Sequence, residues 1–263
     1  MKIAILVTDE YLENLDNKQY YGLYEEFSKV YDEQSKVVVE RFNVINKEWP
    51  TQESQYEYGY VICGSRADAY SQLDWILWLK SKIVDLVEHD VKICGICFGH
   101  QIIAEALGGK VEKNHRGWEL GQVDFGISPE TTEIFKKIMS NSKKSFDGAS
   151  SPSQEDCGEK TVLSLLSIHQ DYVSVVPKGL MGFGSTDICE TQGLIKESTQ
   201  TPGLYTIISF QHHPEFTKDY LNILIDELKD TLPPQFLQES RDSIKDESDQ
   251  LWCSRLIHCF FKQ

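Results

Sequence analysis

The stretch that most constrains the fold is residues 91–107. An apolar strand candidate (91–96) there runs straight into a helix candidate (98–107) that is stopped by Gly108-Gly109. At the junction stands Gly95-Ile96-Cys97-Phe98-Gly99-His100-Gln101, a cysteine with a glycine two residues to either side. A buried strand that passes directly into a helix is the repeating unit of α/β folds with a mainly parallel sheet. The flanks keep that rhythm: strands are expected over 2–8, 37–44 and 60–63, and helices over 20–30 and 73–87. The second half predicts strands over 121–127, 162–168 and 204–210, and helices over 130–139, 220–228 and 235–260. Trp252, Leu256 and Phe260 form one apolar stripe on the last helix, as expected for packing on the sheet. Residues 140–160 are rich in Ser, Lys, Asp and Glu without periodicity, and read as a mobile surface loop. No repeat or proline-rich linker divides the chain, which predicts a single domain over 1–263.

Charge and composition remove several function classes. With 26 Lys and Arg against 41 Asp and Glu, the formal charge is −15. That balance opposes nucleic-acid binding, which needs a basic footprint, and docking on an anionic membrane. No apolar run approaches the ~20 residues of a membrane helix, and the acidic Asp9-Glu10 ends the first apolar run too early for a signal peptide. The seven cysteines are odd in number and irregularly spaced, which predicts free thiols and a cytoplasmic or nuclear location.

Cys97 sits where a nucleophile elbow would place it. Glycines leave room for a sharp turn, the helix N-terminus favours a thiolate, and the Phe98 N–H can face the oxygen of an attacked carbonyl. A buried structural cysteine beside packing glycines fits that motif alone about as well. Gln211-His212-His213-Pro214-Glu215, after the strand candidate 204–210, shifts the balance. Pro214 biases His213 toward extended backbone, where residues two apart share a side, so Glu215 can orient His213 while its other nitrogen faces Cys97. His212, the rival base, should point away from Glu215. Two further strand ends carry polar turns. Gly64, followed by Ser65-Arg66, can offer a second oxyanion N–H, and His169-Gln170-Asp171 can read a small substrate or simply cap a turn. Cys94-Gly95-Ile96-Cys97 is formally a C-x-x-C, but its first cysteine lies inside the strand, opposite to redox dithiols. The His-His-x-Glu run has no companion ligands at zinc-like spacing, and no phosphate loop or G-x-G-x-x-G is present, so no metal or other cofactor is expected.

Together these motifs resemble the class I (triad) glutamine amidotransferases, whose flavodoxin-like fold is an open, mainly parallel sheet flanked by helices. The resemblance implies Cys97 as nucleophile, His213 as base and then acid, Glu215 as its orienter, and Gly64 and Phe98 N–H groups as the oxyanion hole. It implies that Gln101 and the segment around His169, Gln170 and Asp171 hold the glutamyl group. It covers a catalytic core of about 1–220, followed by C-terminal helices over 221–263. Asp74-Trp75-Ile76-Leu77, the unbroken run 95–104, Glu119-Leu120-Gly121 and Leu251-Trp252-Cys253 look similar to free-standing members, the plant γ-glutamyl peptidases and fungal amidotransferase-like proteins. Ser65-Arg66 departs from the small Gly/Pro turn of synthase-linked members, and Arg66 is a candidate to reach a peptide carboxylate.

The expected activity is therefore hydrolysis of a γ-glutamyl amide through a thioester on Cys97, with a small γ-glutamyl compound as substrate. One alternative is a glutaminase subunit that delivers ammonia to a synthase partner. Another, of a different class, is a non-catalytic binding or redox-sensing protein on the same fold. No acceptor domain is legible in these residues, which favours the first.

Overall fold

The computed structural model describes residues 1–9, 37–143 and 160–263. In chain order, these form β1 (Lys2–Val7), β2 (Val38–Asn43), β3 (Tyr58–Ile62), α1 (Asp74–Glu88), β4 (Ile93–Ile96), α2 (Phe98–Ala106), β5 (Lys110–Lys113), β6 (Glu119–Gly126) and α3 (Pro129–Lys143). They continue with β7 (Val162–His169), β8 (Asp171–Val175), β9 (Met181–Phe183), β10 (Gly193–Glu197), β11 (Tyr205–Phe210), α4 (Lys218–Glu227), α5 (Pro234–Asp242) and α6 (Gln250–Lys262). The main sheet has the order β2-β1-β3-β4-β11-β10-β9. Its first five strands pair in parallel, and β10 and β9 extend one edge antiparallel. Two antiparallel pairs, β5 with β8 and β6 with β7, stand outside it. This is the open, mainly parallel α/β sheet expected from the sequence.

Alternation along the strands sorts the core into two layers. Ile3, Ile5 and Val61 face a layer completed by Phe135 and Ile138 of α3 and by Leu256 and Phe260 of α6. Ala4, Leu6, Tyr60 and Ile62 face the other, with Leu79 and Ile83 of α1 and Ile102 and Ile103 of α2. Every residue of β4 and β11 is buried, as a strand covered on both faces requires.

Some boundaries differ from the sequence reading. The single helix expected over 235–260 is two helices, α5 and α6, separated by residues 243–249. Ser and Asp side chains in that break bond the β6–β7 pair instead of continuing the helix. Ser243 Oγ accepts from Gln122 N at 2.9 Å, and Asp249 Oδ2 accepts from Ser164 N at 2.9 Å. Strands β5, β8, β9 and β10 escaped the reading. β5, Lys110–Lys113, has one fully buried side chain, so no period shows in its sequence. Helix α3 continues past Met139 to Lys143. The helix expected over 20–30 and most of the loop expected over 140–160 lie outside the described residues.

Candidate active site

The carboxyl ends of β3, β4 and β11 bring Gly64, Cys97 and His213 to one cavity of about 380 Å³. Open α/β sheets bind ligands at that edge because the strands end there and the loops diverge. Cys97 is the junction of β4 and α2, at φ 50° and ψ −104°, a left-handed conformation unusual for a residue with a side chain. Two backbone bonds hold it there: Cys97 N donates to Phe210 O at 2.8 Å, and Gln101 N donates to Cys97 O at 3.0 Å. The turn closes only because its glycines lack Cβ atoms. A Cβ on Gly95 would come within 2.6 Å of Gly99 backbone, and one on Gly99 within 2.1 Å of Ile62 O. Phe98 opens α2, so its N–H has no acceptor within the helix.

The parallel register of β4 and β11 pairs Ile96 with Phe210. The first residue after β11, Gln211, therefore lies beside Cys97, and its Nε2 donates to Sγ at 3.7 Å. His213 follows two residues later, and its N donates to Leu166 O at 2.8 Å. His213 Nδ1 lies 2.7 Å from Glu215 Oε1, both residues being buried, and the imidazole stacks on Phe216 at 3.8 Å between ring centres. Burial opposes a charged His213. The Glu215 carboxylate and then Cys97 outweigh it, and raise the His213 pKa to about 10. Its Nε2 makes no completed hydrogen bond among the described residues, yet Cys97 is near enough to act on its protonation. His212 points elsewhere, stacked on Phe125 at 4.6 Å.

The remaining sequence candidates fall into different positions. Gln101 Nε2 donates to Asp171 O at 3.0 Å and to Gln211 Oε1 at 3.2 Å, which links the cavity floor to the amide beside Cys97. Asp171 lines the cavity with Asp68 and Gln170. Burial, and then the Asp68 charge, push the Asp171 carboxyl up. The His169 ring is held by the protein: Nε2 lies 2.9 Å from Glu119 Oε2, and Nδ1 lies 3.0 Å from Asp171 O. Ser65 Oγ accepts from Ala67 N at 3.1 Å, shaping the turn after Gly64. Arg66, the candidate for a peptide carboxylate, lines the cavity and is paired within the chain. Its Nε and Nη2 fork onto Asp9 at 3.1 and 3.0 Å, so that geometry is directed to a carboxylate of the chain itself.

Sequence reasoning assigned no role to Glu119 or Gln211. Burial raises the Glu119 carboxyl, but its hydrogen bond and ionic contact with His169 prevail and bring it down to about 2. A lone Glu at the start of a strand pattern, or a Gln ahead of the histidines, gives only a faint signal, because the partners are remote in sequence. Among the described residues, no group of three or more His, Cys, Asp or Glu side chains is arranged to hold a metal ion. No described helix is long and apolar enough to cross a membrane. The six described cysteines are buried, and no disulfide joins any two of them.

The buried imidazoles make the fold acid-sensitive. Burial, with His169 adding to it, lowers His100 and His212 from 6.5 to about 3. Unfolded, both take up protons below about pH 6.5; folded, only near pH 3. Their stabilisation is whole above pH 6.5 and is lost as pH falls toward 3, on the order of 4 kcal/mol for the pair by pH 5. The urea midpoint should therefore drop clearly between pH 7.5 and pH 5. His212→Phe should remove about half of that drop, and an unchanged pH dependence would count against the assignment.

Comparisons with known proteins point to one family. The glutamine amidotransferase class-I family matches residues 79–225. Gamma-glutamyl peptidase 2 of Arabidopsis thaliana is 31% identical over 210 residues, covering 78% of this chain and 73% of that protein. A glutamine-hydrolyzing GMP synthase of Clostridium novyi is 32% identical over 133 residues, covering 50% of this chain but 20% of the synthase. In structure, a glutamine amidotransferase from Thermotoga maritima superposes with a TM-score of 0.67 at 14% identity, covering 100% of this chain and 98% of that one.

Proposed function

The chain belongs to the class I glutamine amidotransferase family, and from that premise we propose that it hydrolyses the γ-glutamyl amide bond of γ-glutamyl peptides. The observation that carries the reading is the convergence in one cavity of Cys97 on its strained turn and His213 held 2.7 Å from Glu215. A thiol, an imidazole and an orienting carboxylate are what acyl transfer through a covalent intermediate requires.

In this mechanism Cys97 Sγ attacks the γ-carbonyl carbon. The Phe98 and Gly64 N–H groups receive the oxyanion, and the Gln211 amide steadies the sulfur. His213 gives its proton to the departing nitrogen as the C–N bond breaks, leaving a γ-glutamyl thioester and a free amine. Water then enters; His213 takes one of its protons, the C–S bond breaks, and glutamate leaves with Cys97 restored. Glu215 keeps the His213 ring aligned through both steps. The substrate's α-ammonium is placed against the half-buried Asp171 and the exposed Asp68, whose charge acts unfavourably on the Asp171 carboxylate when no cation lies between them. The C-terminal helices belong to the same unit in this reading, because Leu256 and Phe260 share the core layer of Ile96 and Phe210.

Similarity to the synthase over half of this chain supports a second reading, a glutaminase that passes ammonia to a partner. The purified chain, given γ-glutamyl dipeptides and glutamine in parallel, separates the two. Rapid release of the amino acid from the dipeptides, with weak glutaminase activity and a γ-glutamyl adduct on Cys97 in quenched samples, is the expected result. Inertness toward dipeptides, with glutamine hydrolysis that appears only when a synthase is added, would favour the second reading.

A further inference from the structure

The cavity is longer and more apolar on one side than the removal of ammonia requires. One end is polar, with Gln101, Lys113, Gln170, Asp171 and Asp68. The other is walled by Phe216, Tyr220, Leu224 and Leu228, which fall four residues apart along α4 and its two ends, with the exposed Glu227 at its outer rim. Phe216 and Tyr220 are buried and meet edge to face at 4.7 Å, whereas Leu224 and Leu228 are half-buried where the wall opens. From Tyr220 to Leu228 the wall extends about 12 Å at the rise of an α-helix. Near Tyr220, Arg66 is paired with Asp9, so the two present a compensated ion pair to the cavity.

The direction of this wall relative to the chemistry gives it a role. The group that protonates the departing nitrogen must lie on the leaving-group side of the scissile bond. That group is His213, and Phe216 is stacked on its ring. Whatever carbon is attached to the departing nitrogen therefore continues onto Phe216 and Tyr220 and, if long enough, toward Leu224 and Leu228. Ammonia has no such carbon and gains nothing from an apolar wall. A hydrophobic leaving amine removes both its own surface and that of the wall from water.

We infer that the Phe216–Tyr220–Leu224–Leu228 wall is a leaving-group subsite that selects γ-glutamyl conjugates of amines with a hydrophobic body, such as a large apolar amino acid. The assignment rests on the γ-glutamyl hydrolase reading and specifies its substrate class. It fixes which side of the bond is discriminated: the glutamyl head is common to all substrates, and the departing residue decides the rate.

The test compares γ-glutamylphenylalanine with γ-glutamylglycine, which share the head and the terminal carboxylate and differ only in the departing side chain. The full-length protein should show kcat/KM at least about tenfold higher for the phenylalanine peptide, the scale on which apolar pockets discriminate. Leu224→Asn and Leu228→Asn, both at half-buried positions, should each lower that ratio severalfold. Calorimetry on Cys97→Ala protein gives a second readout without turnover, with the phenylalanine peptide expected to bind about tenfold more tightly. Equal hydrolysis of the two peptides, or a ratio that neither variant changes, overturns the subsite and leaves the hydrolase reading standing. Hydrolysis of neither peptide removes the hydrolase reading, and the subsite with it.

Discussion

Cys97→Ala is expected to lower γ-glutamyl hydrolysis by at least about four orders of magnitude while leaving the fold intact. Loss of the nucleophile in a covalent mechanism removes the intermediate itself, and only the oxyanion hole and binding are left to assist direct attack by water. No neighbouring thiol can stand in. Cys94 and Cys63 are fully buried, and burial followed by the Glu215 charge pushes both thiols up, away from the thiolate form. The variant adds no bulk to a site already built for a side chain at φ 50°. Rapid-quench mass spectrometry should find the γ-glutamyl adduct on wild-type protein and none on the variant, with the two giving the same urea midpoint. Glu215→Gln should cost less, because His213 would remain beside Cys97 and lose only the partner at 2.7 Å that aligns it. Turnover in Cys97→Ala within about tenfold of wild type would rule out the proposed nucleophile.

The second large effect concerns a residue that touches no substrate. Gly99→Ala should destabilise the protein by about 3 kcal/mol or more, or prevent folding, since overpacking against rigid backbone is relieved only by moving an element. The added methyl would lie 2.1 Å from Ile62 O and 2.8 Å from Ile62 C. Neither atom can rotate away, so α2 must separate from β3. That movement displaces the two elements that carry the Phe98 and Gly64 N–H groups, and activity in any folded fraction should fall with stability. Gly126→Ala is the control: no heavy atom lies within 4 Å of its added Cβ, and its midpoint should stay close to wild type. Parallel urea unfolding of the two variants is decisive, because a Gly99→Ala protein as stable as Gly126→Ala would contradict the packing of the turn.

The parts of the site that were legible in the sequence are those in which cause and consequence lie within a few residues. The α/β class followed from apolar runs that alternate between strand and helix length. The strained turn at Cys97 followed from glycines at 95 and 99, and the His213–Glu215 pair from a two-residue spacing across Pro214. Here the chain brings its own partners together, so local geometry is enough. The division of helix 235–260 into α5 and α6 was not legible. Ser243 and Asp249 break it by bonding Gln122 and Ser164, more than 80 residues away, and a helical period alone cannot reveal such partners.

The same distinction separates what each level determined about this protein. By itself the sequence determined its class, its family motifs, and the pairing of a histidine with a carboxylate two residues on. The tertiary structure alone decided that Gln211 lies beside the Cys97 sulfur, that Glu119 anchors His169, that Asp9 occupies the Arg66 fork, and that α4 forms the wall beyond His213. Each of these depends on the order and register of strands. Hydrophobic periodicity specifies which face of a strand is buried but carries no information about which strand will lie beside it.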